Sequence, residues 1–176
     1  MHTENPEDLA IPNWYALYTR SHCEQLVYDQ LTARGFYLFL PRMDVWSRRA
    51  GKQRLVSVPM FPGYLFLRHA MDKMSYIDVC KARGLVRILG ERWDRLSVVP
   101  DAEIQAIQRV LNTPLQILPH PYLREGQRVR ITRGPLTGIE GILLQSKPAK
   151  GLLVLSVDML QRSVAVEVDW SMVTAA

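Results

Sequence analysis

Residues 112–122, Asn-Thr-Pro-Leu-Gln-Ile-Leu-Pro-His-Pro-Tyr, hold three prolines and no charged residue. Proline fixes φ and lacks an N–H, so helix interiors and central strands both avoid such a stretch. The text on its two sides differs. Strand-like and helix-like runs alternate before it, and every run after it is strand-like. The chain therefore divides into a flexible leader at 1–12, a mixed unit at 13–112, a linker at 113–122 and a smaller unit at 123–176.

In the first unit, Trp14–Thr19 (WYALYT) is aromatic and strand-forming. A helix is expected over His22–Arg34. Ser21 can cap it, and Glu24 stands at the capping-box spacing. Cys23, Leu26, Val27, Gln30 and Leu31 give the helix one apolar face. Phe36–Leu40 is a second strand, stopped at Pro41. Residues 42–54 then set Arg42, Arg48, Arg49, Lys52 and Arg54 against one acid, Asp44. They read as a mobile basic loop or hairpin tip turning at Gly51. Leu55–Pro59 and Tyr64–Arg68 are strands on either side of Met60-Phe61-Pro62-Gly63. A second helix is expected over Met71–Arg83, with Met74, Ile77 and Cys80 inward. Leu85–Leu89 and Leu96–Val99 are short strands. Pro100-Asp101 opens a third helix with Ile104, Ile107 and Leu111 inward. This order specifies an α+β sandwich, an antiparallel sheet flanked by helices.

In the strand after Gly63, Leu65 and Leu67 point to one face, Tyr64 and Phe66 to the other. Two helices can cover one face. The other either meets further protein or leaves Phe61, Tyr64 and Phe66 as a surface patch.

The second unit offers four strand runs, Gln127–Thr132, Gly141–Ser146, Leu152–Val157 and Ser163–Val168. Gly126, Gly134, Pro135, Gly138 and Gly141 punctuate its hairpins. About fifty residues with such short strands suggest a small SH3-like β-barrel.

Charge and special residues narrow the function. The 176 residues carry 22 Lys+Arg against 17 Asp+Glu, and 48% are apolar. This is an ordinary globular composition rather than a disordered or disulfide-rich one. The excess of +5 tolerates a polyanion without demanding one. No apolar run approaches the roughly 20 residues that span a bilayer, so no membrane partner is expected. Cys23 and Cys80 form no Cys-x-x-Cys pair, which argues against structural zinc and fits the reducing cytoplasm. The histidines at 2, 22, 69 and 120 are scattered. His22 and Cys23 cannot work as a catalytic pair, because adjacent helix positions project about 100° apart. No phosphate loop or nucleophile elbow appears. The expectation is a binding protein without catalytic residues, metal or cofactor.

Four pieces of text meet in one resemblance. WYALYT, FPGYLF, VVPDAEI and the glycine-punctuated barrel after a proline linker together resemble the NusG family of transcription elongation factors. Those proteins place an NGN domain before a KOW domain. Pro119–Tyr122, Leu153–Val157 and Leu160–Asp169 look more like the specialised UpxY/RfaH-type antiterminators of that family.

The resemblance implies a monomer that suppresses pausing and termination. Phe61, Pro62, Tyr64 and Phe66 match the motif that docks on the β′ clamp helices of RNA polymerase. It further implies that Arg20, His22, Arg83 and Arg87 lie near the non-template DNA strand at the transcription bubble. Arg42, Arg48, Arg49 and Lys52, with Arg54, would reach duplex DNA. Leu136 and Ile139 would contact the ribosomal protein NusE or the termination factor Rho. General NusG proteins usually carry Gly-Pro-Phe where this chain has Gly134-Pro135-Leu136, which weakens the case for Rho. The alternatives are a general factor aiding Rho-dependent termination and a ribosome-associated RNA-binding KOW protein.

Overall fold

The computed structural model describes residues 11–120, 122, 126–147 and 150–176. The expected leader, apart from Ile11 and Pro12, lies outside the described residues, as do the first three residues of the expected second unit. The first half runs β1 (Asn13–Thr19), α1 (Glu24–Ala33), β2 (Tyr37–Phe39), β3 (Arg42–Arg49), β4 (Lys52–Pro59), β5 (Tyr64–His69), α2 (Lys73–Cys80) and β6 (Leu85–Ile88). It continues through β7 (Gly90–Arg92), β8 (Arg95–Leu96), β9 (Val98–Val99) and α3 (Asp101–Leu111). The second half is β10 (Ile117–His120), β11 (Gln127–Ile131), β12 (Glu140–Lys147), β13 (Lys150–Val157), β14 (Arg162–Asp169) and β15 (Val173–Ala175).

The first sheet has the order β2-β5-β1-β6, with β9 also beside β1. All its pairs are antiparallel, and the register sets Ala16 opposite Phe66 and Tyr18 opposite Tyr64. Alternation along β1 and β5 then sorts the core. Tyr15, Leu17, Leu65 and Leu67 face α1 and α2, which contribute Val27, Leu31 and Val79. Trp14, Ala16 and Phe66 belong to the other layer, with Ile104, Ile107 and Val110 of α3. The central strand is therefore buried on both sides, and α3 supplies the cover that the sequence left open.

Two local expectations need correction. Helix α1 begins at Glu24, not His22, and has no side-chain cap; His22 instead adopts φ +60 in the preceding turn. Helix α2 is only eight residues long, capped by Asp72, whose Oδ1 accepts the Ser75 N–H at 2.7 Å. Met74, Ile77 and Cys80 are exposed and Val79 points inward. The face that packs on the sheet is instead the one bearing Tyr76 and Val79, and the spacing of Met74, Ile77 and Cys80 marks the face turned outward. Residues 42–59 form a regular ribbon, β3 paired with β4 from Arg42↔Pro59 to Arg49↔Lys52, so the hairpin turning at Gly51 is the alternative the structure shows, with paired strands in place of a mobile loop.

The second sheet has the order β10-β14-β13-β12-β11-β15 and forms the small barrel. Strand β10 comes from the proline-rich stretch read as linker, with Leu118 opposite Ala165. It is an edge strand, where the missing N–H of Pro119 is tolerated. Gly141 is required by close approach: a Cβ there would stand 2.6 Å from the Val154 carbonyl oxygen. The two halves share one apolar cluster. Ile104, Ile107 and Val110 of α3 join Leu136, Ile139, Leu155 and Val157 of the barrel in it.

Candidate partner and nucleic-acid interface

The segment Met60-Phe61-Pro62-Gly63 turns the chain from β4 into β5. Gly63 sits at φ +85, and a Cβ there would press against the Tyr18 ring at 3.4 Å. Its N–H donates to Glu24 Oε1 at 2.7 Å, and its carbonyl accepts from the Thr19 N–H at 2.8 Å. Glu24 is buried. The carboxylate expected to complete a capping box thus pins this turn to the start of α1, a use that helical spacing alone does not reveal.

This anchoring splits the expected aromatic patch. Phe61 and Phe66 are 1% and 0% exposed. Their rings meet edge to face at 6.1 Å, and Phe66 stacks on Phe39 at 6.1 Å. They are core, because α3 closes the face they occupy. Pro62 is exposed and Tyr64 half-buried. The Tyr64 ring lies 5.2 Å from that of Tyr18, which is 38% exposed. The surface feature is therefore Pro62, Tyr64 and Tyr18. Sequence reasoning missed Tyr18; its two-residue spacing from Trp14 and Ala16 gave its face, but only the β1–β5 register gave its neighbour.

Four exposed basic residues lie on the segments beside this pair. Arg20 follows β1, and its N–H donates to the Gly84 carbonyl at 2.7 Å. His22 lies two residues on. The backbone of Arg83 is clamped at N–H and carbonyl by the Gln30 amide, at 3.0 and 2.9 Å. Arg87 is opposite Tyr18 across β1 and β6. Arg20, His22, Arg83 and Arg87 are thus brought to one end of the first sheet.

The remaining cations lie on the β3–β4 ribbon. Arg42 is occupied: it donates to Ser57 Oγ at 3.2 Å, to the Ser57 carbonyl at 3.0 Å and to Gln25 Oε1 at 3.2 Å. It braces the ribbon against α1. Arg48, Arg49, Lys52 and Arg54 are exposed and make no ion pair among the described residues.

In the barrel, Leu136 and Ile139 are buried rather than presented on an open edge. Arg109 of α3 donates to the carbonyls of Pro135 and Thr137 at 3.0 and 2.5 Å, holding the turn between β11 and β12 against the first domain. Among the described residues no three His, Cys, Asp or Glu cluster as metal ligands, and no helix is long and apolar enough to cross a membrane.

A family model described as transcription termination factor nusG matches residues 12–108, more than half of the chain. The chain belongs to the NusG family. Its relatives include the transcription termination/antitermination protein NusG of Escherichia coli, 28% identical over 143 residues, covering 79% of this chain and 77% of the relative. NusG of Yersinia pestis is 28% identical over 140 residues, covering 77% and 76%. Among solved structures, one titled "Domain interaction in Thermotoga maritima NusG" superposes with a TM-score of 0.59 at 19% identity, covering 93% of this chain and 97% of that one. At that identity the likeness speaks for the fold, an NGN-type α/β sandwich with a KOW-type barrel.

Proposed function

We propose that this NusG-family chain is an antitermination-type elongation factor that docks on the β′ clamp helices of RNA polymerase through Tyr64, Tyr18 and Pro62. The observation that carries the reading is the accessible tyrosine pair on a turn fixed by the Glu24–Gly63 bond. Aromatic side chains with rigid backing are the usual anchors of protein interfaces. Phe61 and Phe66 would support the pair from beneath. Arg20, His22, Arg83 and Arg87, beside the tyrosines, would then face the non-template strand, and the ribbon cations would face nucleic acid as well. The arrangement offers positioned cations and a docking surface, which is chemistry for binding rather than for turnover.

Such a factor changes pausing only through its different affinity for the paused and elongating states of the enzyme. Holding the clamp closed would favour elongation. The barrel would recruit its partner, NusE or Rho, at high effective concentration once the first domain is docked. Leu136 and Ile139 are packed within the domain contact, so a partner at that edge would compete with α3 for them. The similarity of the tail text to UpxY/RfaH-type factors supports the antitermination sign.

Binding of the full chain and its Tyr64→Ala and Tyr18→Ala variants to core RNA polymerase tests the docking. Loss of affinity by about 30-fold is expected if the tyrosines are hot spots worth about 2 kcal/mol. Folded variants that bind like wild type would refute the assignment. Single-round transcription through a pause and a Rho-dependent terminator tests the sign; enhanced termination would favour the general-factor reading.

A further inference from the structure

The β3–β4 ribbon turns at Ala50-Gly51, both with positive φ, +51 and +75. That is the type I′ geometry, which matches the twist of a two-stranded ribbon. Directly opposed residues of an antiparallel pair share a face, as do residues two apart on one strand. Trp46 is opposite Leu55, and Arg48 is opposite Gln53. These four therefore occupy one face, while Met43, Val45 and Val58 turn the other toward the core. The ribbon is rooted on one side and bare on the other. Trp46 is 66% exposed and Leu55 54%. Free indole surface of this kind is expensive to leave in water.

Arg48 shares this face, while Arg49, Lys52 and Arg54 stand on the other face at the turn end of the ribbon, all without an ion pair among the described residues. The ribbon's single acid, Asp44, shares the Trp46 face two residues nearer the root, away from the turn where the cations gather. An occupant must therefore be anionic and also carry flat apolar surface. Unpaired nucleotides offer both, since every base has a π-face and every link a phosphate. A duplex satisfies only the need for negative charge. Its grooves present base edges, and its π-faces are already stacked.

We propose that the β3–β4 ribbon is a single-stranded nucleic-acid site, in which a base stacks on the Trp46 indole beside Leu55 while Arg48 on the same face, and Arg49, Lys52 and Arg54 reaching round the turn from the other, hold the flanking phosphates. This rests on the nucleic-acid reading of the ribbon and changes its ligand from duplex to single strand. Arg42 is excluded from phosphate contact, because its guanidinium is already bound to Ser57 and Gln25.

The test is fluorescence anisotropy of the full chain with labelled dT20 and with a 20-base-pair duplex, over a salt series. Wild type is expected to bind dT20 more tightly than the duplex, with affinity falling as salt rises. Trp46→Ala should weaken dT20 binding by roughly 5- to 100-fold, the range of one base–aromatic stack, while Trp46→Phe retains most of it. Both variants should keep the wild-type melting temperature, since the side chain is exposed. An Arg48→Ala, Arg49→Ala variant should bind more weakly with a shallower salt slope.

If Trp46→Ala binds dT20 like wild type while the arginine variant does not, the stack is overturned and the nucleic-acid reading of the ribbon survives. If wild type binds neither oligonucleotide, both fall. Duplex bound as tightly as dT20 overturns the single-strand assignment. Trp46-dependent binding to phosphatidylserine vesicles without dT20 binding would make the ribbon a membrane-surface element instead.

Discussion

Glu103 on α3 faces Asp158 of the barrel across a cleft of about 700 Å³ between the two halves. The Oε2 atom of Glu103 is shut off from water and has no hydrogen-bond partner among the described residues. Burial first, and the Asp158 charge second, push the Glu103 carboxyl from its ordinary 4.5 up to about 7. Arg109, Arg128 and Glu140 also line the cleft, and the Tyr122 hydroxyl lies 3.3 Å from Asp158 Oδ1. Between pH 4.5 and 7 the folded chain keeps a proton that the unfolded chain has released. The stability contributed is full below pH 4.5, declines as pH rises through 7, and is absent above that. Thermal unfolding should therefore show a lower Tm at pH 8 than at pH 5. Glu103→Gln is expected to raise Tm at pH 8, change it little at pH 5 and flatten the profile. An unchanged profile in that variant would locate the pH dependence elsewhere.

The contact between the halves has a second adjustable part in Arg109. Its guanidinium bonds two carbonyls of the turn between β11 and β12, in a setting still open to solvent. Arg109→Ala should weaken the contact by about 1 kcal/mol, the net worth of ordinary hydrogen bonds in proteins. Hydrogen exchange would read this as faster exchange at Thr137 and Gly138, with β1 and β5 unaffected. Equal acceleration in both sheets would mean that the bond supports global rather than interdomain stability.

Much of this fold is legible in the sequence because periodicity is local. The third helix was readable from Pro100, Ile104 and Ile107, and the structure places it over Asp101–Leu111. The strands of the barrel follow their turn residues. Reading failed where a long-range partner decides the outcome. Phe66 is apolar on a strand apolar on both faces, and nothing local says that α3 will return to cover it. Pro119 suggests a break, yet an edge position of the barrel accepts it. Met74 and Ile77 have helical spacing, but α2 docks on the sheet by the face of Tyr76 and Val79. The site was readable as residue types, a tyrosine after Phe-Pro-Gly and a basic run. The Tyr18–Tyr64 pair, the Arg42 brace and the bare Trp46 face needed the strand registers.

Glu24 supplies a third prediction. It is a buried carboxylate whose acceptor holds the Gly63 N–H. Glu24→Ala would leave that donor unsatisfied and should cost about 1–3 kcal/mol in urea unfolding, with little change in m. Glu24→Gln keeps a carbonyl acceptor and should recover part of the loss. Because the same bond fixes the turn beneath Tyr64, the alanine variant should also lose polymerase affinity while still folded. Full affinity in a destabilised variant would show that the turn's geometry is immaterial to docking.

The two aromatics of β5 should separate stability from binding. Phe66 is wholly buried between Phe39, Phe61 and the α3 layer. Phe66→Ala is expected to destabilise the chain by about 3–5 kcal/mol through lost burial and a residual cavity. Its polymerase affinity, measured where it remains folded, should fall less than that of Tyr64→Ala. Tyr64, half-buried against Tyr18, loses far less on truncation, and its unfolding midpoint should stay close to wild type. Denaturant midpoints and polymerase titrations on the two variants give four numbers whose pattern is decisive. Affinity that tracks stability, lower in Phe66→Ala than in Tyr64→Ala, would remove Tyr64 from the docking surface. Affinity lost in Tyr64→Ala at nearly unchanged midpoint would place the contact at the tyrosine pair.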